Sequence, residues 1–92
     1  MQSELLELAK REIDTLWTST PEGKHIKTGD IRKLSGRLFR QIPDKTMETV
    51  SYLCEVFLEQ RTWELGVIAF DWAYRYALEK FDKDTRKKLM SL

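Results

Sequence analysis

The sequence predicts an all-α fold of antiparallel helix pairs, a HEAT-like α-solenoid fragment of four to five helices. Three observations predict it. Apolar residues recur at helical spacing through four successive segments, and no alternating strand pattern separates them. The last two segments are joined by a turn of about two residues, which makes them an antiparallel pair. The last segment, residues 63–81, is apolar almost all the way round.

The first helix is expected over 4–18, with Ser3 as its N-cap. Leu5, Leu6, Ala9, Ile13, Leu16 and Trp17 share one face, opposite Glu4, Glu7, Arg11 and Asp14. Pro21 and Gly23 make residues 18–27 a loop. Thr28 then caps a second helix over 29–42, with Asp30 in its first turn complementing the dipole. Ile31, Leu34, Leu38 and Ile42 form its apolar stripe, and Lys33, Arg37 and Arg40 a cationic stripe on the far side. Pro43 stops it. Asp44 or Thr46 caps a third helix to about Gln60, whose buried face is Met47, Val50, Leu53, Cys54, Phe57 and Leu58. Thr62 caps the fourth, and a short fifth helix is expected from Asp82 or Asp84.

The fourth helix carries two apolar faces. At 100° per residue, Trp63, Val67, Phe70, Tyr74, Leu78 and Phe81 fill one. Leu65, Ala69, Trp72, Ala73, Tyr76 and Ala77 fill the opposite one. Glu64, Asp71, Arg75 and Glu79 make a narrow polar strip, interrupted by Ile68. A helix with two apolar faces needs cover on both, as the inner helix of a stacked array has.

Size and composition set the outer limits. The 92 residues hold a single helical domain, 1–92, expected to be an N-terminal portion of a larger array. A formal net charge of +1 argues neither for nor against nucleic acid. One cysteine, Cys54, excludes an intrachain disulfide scaffold. No apolar run has the length of a membrane span, and the amphipathic N-terminus is no signal peptide, so a cytoplasmic protein without membrane partners is expected.

The runs HIKTGDIRKLSGRLFRQI (25–42) and VSYLCEVFLEQRTWELGVIAFDWAYRYALEKF (50–81) resemble the N-terminal part of the AlkD-like DNA alkylation repair enzymes. The matching positions are Thr28, Arg32 and Leu34 in a threonine-capped helix, then Leu58, Glu64 and Ala69 in the following pair. The resemblance implies a HEAT-like DNA glycosylase acting on positively charged alkylated purines. Such enzymes bind duplex DNA in a basic concave groove and use tryptophans and an aspartate to stabilise positive charge developing on the sugar. The family's tryptophan–aspartate segment follows the helix that ends near Phe81, and DKDTRKKLMSL holds no counterpart. No catalytic residue is therefore carried over. The resemblance implies a module lending scaffold and DNA-backbone contacts to alkylation repair.

Arg32, Lys33, Arg37 and Arg40 are the candidate DNA contacts, and a solvated helix face accounts for them as well. Arg86, Lys87 and Lys88 could extend them. Trp17, Trp63 and Trp72 read as core, and Asp71–Arg75–Glu79 as a surface ion-pair ladder rather than a catalytic set. Cys54 reads as an inert core thiol. One histidine, His25, and one thiol make no zinc site, and no cofactor motif is present. The competing expectation is a helical protein–protein interaction module with no nucleic-acid role. Self-association, or missing C-terminal repeats, is expected to cover the fourth helix.

Overall fold

A computed structural model of the chain describes the backbone of residues 2–80 and 83–84, and the side chains of 4–76, 83 and 84. The fold is all-α. The helices are α1 (Gln2–Thr18), α2 (Thr28–Phe39), α3 (Met47–Glu59) and α4 (Trp63–Lys80). The fifth helix expected after Phe81 lies outside the described residues, apart from Lys83 and Asp84, which are helical.

Local chemistry accounts for most of the boundaries. α1 starts ahead of Ser3, which is helical rather than a cap. Thr28 likewise belongs to the helix it was expected to cap; Lys27 is the N-cap, with extended backbone and no side-chain hydrogen bond. α2 ends at Phe39, earlier than the apolar stripe suggests, because Ile42 joins the core from the loop. Thr46 caps α3 as expected, its side chain accepting from the Thr49 amide at 3.2 Å. Thr62 does the same for α4, accepting from the Leu65 amide at 3.4 Å. The turn into α4 runs through Arg61 at φ 56°, a left-handed conformation uncommon outside glycine.

α4 is the central element. It packs against both α3 and α2, and α1 packs on α2. The chain is thus two helix pairs, α1–α2 and α3–α4, joined side by side through their second members. Trp72 is the centre of the core: it is fully buried, with its ring 4.7 Å from Phe57 and 6.4 Å from Phe39. Its indole Nε1 donates to the Ser35 carbonyl at 2.9 Å, which satisfies the one polar atom this large ring takes inside. Ile31, Leu34, Leu38, Val50, Leu65 and Ile68 close around it. Ile26 is buried too and anchors the loop before α2.

Two tryptophans expected in the core are outside it. Trp17 is 41% exposed and donates from Nε1 to Glu64 Oε2 at 2.8 Å, tying the end of α1 to the start of α4. Trp63 is 56% exposed. Met47, expected on the buried face of α3, is also exposed, because it sits in the first turn, outside the contact with α4.

Candidate functional site

α4 buries one of its two apolar faces. Leu65, Ile68, Ala69, Trp72 and Ala73 are covered by α2 and α3. Trp63, Phe70 and Tyr74 are exposed and Val67 is half-buried. Leu78 and Phe81, expected on the same face, lie outside the described side chains. The polar strip is not the solvent side of the helix. Glu64 accepts from Trp17, Asp71 accepts from Ser35, and both residues are only partly accessible.

Asp71 shows why the strip points inward. Its Oδ2 accepts a hydrogen bond from Ser35 Oγ and a second from Arg75 Nε at 2.7 Å. Ser35 is completely buried, so its hydroxyl needs a partner, and Asp71 provides it. The third member, Arg75, lies alongside Gly36: a Cβ added there would sit 3.4 Å from its Nη2, an ordinary van der Waals contact. Asp71 and Arg75 therefore form one ion pair, as the ladder reading expects, but as a seam to α2 rather than on a free surface. Glu79, the third rung, lies outside the described side chains.

Beside this seam runs an open groove lined by Thr28 and Arg32 of α2 and by Trp63, Val67, Phe70, Asp71, Tyr74 and Arg75 of α4. Arg32, Lys33, Arg37 and Arg40 are all exposed, but they do not form one patch. Arg32 turns to the groove, where it joins Arg75. Arg37 turns to α1, where it pairs with Glu12 at 3.5 Å. Lys33 and Arg40 share Arg37's side of the helix by register. Arg86, Lys87 and Lys88 lie outside the described residues. Arg75 and the three exposed rings were not legible as site residues. Their spacing is equally that of a buried stripe, and only the position of α2 and α3 decides which stripe is covered.

The other reactive groups are poor sites. Cys54 is buried on α3, its thiol 3.2 Å from the Ala69 carbonyl, and its pKa is pushed up from 9.0 to about 12. Burial is the main cause; Glu55 adds to it, and a backbone hydrogen bond from Ala73 opposes it. His25 is exposed in the loop, and no cluster of metal-binding side chains occurs among the described residues. No helix among the described residues is long and apolar enough to cross a membrane. Comparison of the chain with protein-family models, with curated proteins and with solved structures finds no match, so the candidate site rests on its own geometry.

Proposed function

We propose that the chain is a helix-pair module of a DNA alkylation repair protein, lending scaffold and DNA-backbone contacts without a catalytic residue of its own. What supports the reading is the cationic side of α2. Among the described residues, Arg32, Lys33 and Arg40 are exposed and take part in no ion pair, whereas Arg37 and Arg75 are already held by Glu12 and Asp71. About three phosphate contacts give weak, sequence-independent binding, with Kd on the order of 10⁻⁴ to 10⁻⁶ M and a log–log salt slope near −0.9 per contact, or roughly −3.

Fluorescence anisotropy of a short labelled duplex between about 50 and 200 mM salt tests the reading. Joint replacement of Lys33, Arg37 and Arg40 by Glu is expected to abolish binding. The second reading, a protein–protein interaction module, is favoured by the uncovered aromatic face of α4. A chain that binds no duplex at low salt belongs to that second class.

A further inference from the structure

The apolar side chains that α2 and α3 leave uncovered on α4 fall at 63, 67, 70 and 74, an alternating spacing of four, three and four residues. One helix meets another along its length at this spacing. Trp63, Phe70 and Tyr74 are 56%, 45% and 57% exposed.

The charge beside this row comes from α2. Ser35 donates to Asp71, and the Phe39 ring lies 6.4 Å from that of Trp72 and 6.3 Å from that of Tyr76, so α2 and α4 run in the same direction. Arg32, one turn before Ser35, therefore comes level with about residue 68, beside the middle of the row. The charged residues lining the groove are Arg32, Asp71 and Arg75. Asp71 and Arg75 offset each other as an ion pair at 2.7 Å. Arg32 is exposed and takes part in no ion pair among the described residues. Glu64 lies at the Trp63 end, outside the groove lining, where Trp17 holds it. One uncompensated cation thus faces the groove.

Resting on the second, protein–protein reading above, we propose that this groove takes an amphipathic helix of a partner protein. Its apolar stripe lies on Trp63, Val67, Phe70 and Tyr74, and its acidic edge faces Arg32. The stripe supplies the affinity. The edge sets which way round the helix lies, because only one of its two flanks can face α2. Lys33 and Arg40 lie round α2, off the groove, and stay free for duplex.

Area sets the strength. With roughly 150–250 Å² per aromatic side chain, the three rings leave roughly 300 Å² uncovered. A partner helix burying as much again gives roughly 600 Å², about half of the ~1,200 Å² at which stable interfaces begin. The complex is therefore weak and transient, with Kd on the order of 10⁻⁴ M.

The test uses three labelled, stapled helical peptides that share leucines at the same spacing and differ along one edge, which carries Glu, Gln or Lys. Anisotropy is followed as the full chain is titrated to about 1 mM. The Glu-edged peptide should bind most tightly and the Lys-edged least, roughly two- to fivefold apart at each step. Arg32→Glu should reverse that order at unchanged melting temperature, since Arg32 is exposed. Phe70→Ala with Tyr74→Ala should abolish binding of all three. If the Gln-edged peptide binds as tightly as the Glu-edged one, or Arg32→Glu leaves the order in place, the acidic edge is overturned and the interaction reading stands. If none binds, both are overturned for this groove. Binding that survives the double Ala variant overturns the site. A chain that on its own rises from 10.9 kDa toward twice that mass, or an oligothymidylate that displaces the Glu-edged peptide, gives the face to a second copy or to nucleic acid and overturns the partner.

Discussion

Two side chains set the polar chemistry of the interior. Ser35 is buried and spends its hydroxyl on Asp71, while its carbonyl accepts from Trp72. Ser35→Ala removes a donor from a carboxylate only 16% exposed, leaving Arg75 as its partner. Losing one hydrogen bond to a charged group costs about 1.5–3 kcal/mol. The urea midpoint should fall with little change in slope. Cys54 gives a second expectation, with its sign fixed by burial. The folded chain holds the thiol neutral up to about pH 12, whereas the unfolded thiol ionises near 9.0. The contribution to stability is complete below pH 9 and is lost as pH rises from 9 to about 12. At neutral pH, a thiol reagent should label Cys54 only after denaturant unfolds the chain. Rapid labelling of the folded chain would show that α3 opens locally.

At the scale of elements, the turn between α3 and α4 carries a cost. Arg61 is left-handed at φ 56°, a conformation that costs an L-residue about 1–2 kcal/mol. Glycine there relieves the strain but adds about 0.4–1 kcal/mol of unfolded-state freedom. Arg61→Gly should therefore stabilise the chain by up to ~1.5 kcal/mol, read as a small rise in melting temperature. A fall would show that the Arg61 side chain contributes more than its backbone costs. This turn also marks how far the sequence could be read. The helix pair and the Thr46 and Thr62 caps were legible because capping and periodicity are local. The stripes of α2 and α3 were legible because each has one apolar face. α4 was half legible: its two faces look alike in sequence, and its polar strip looks like the solvent side. That strip turned inward because buried Ser35 donates to Asp71, which in turn holds Arg75. No spacing rule within one helix carries that information. Trp17 misled for the same reason, since its partner Glu64 lies 47 residues away.

Over the whole molecule, two surfaces stand apart. The aromatic face lies on α4 with Arg32 lining the same groove, whereas Lys33 and Arg40 lie round α2 on Arg37's side. Because they are separate, they can be tested separately. Lys33→Glu should weaken duplex binding several-fold and flatten the salt slope by about 1. Phe70→Ala should weaken binding of the Glu-edged peptide and leave the slope in place. Chemistry is the remaining question at this scale. Asp71 and Trp63 line one groove, so the groove does bring a carboxylate near a tryptophan. Stabilising positive charge on a sugar requires a carboxylate free to face it. Asp71 instead directs Oδ2 to Ser35 and Arg75, and the Arg75 cation beside it offsets its charge. We therefore expect no release of methylated purine from alkylated duplex DNA in single turnover with excess chain. Asp71→Asn should leave that blank unchanged while lowering stability through the lost ion pair. Release above the uncatalysed rate that disappears in Asp71→Asn, at a protein concentration where the variant is still folded, would make Asp71 catalytic and overturn the reading of this chain as a scaffold.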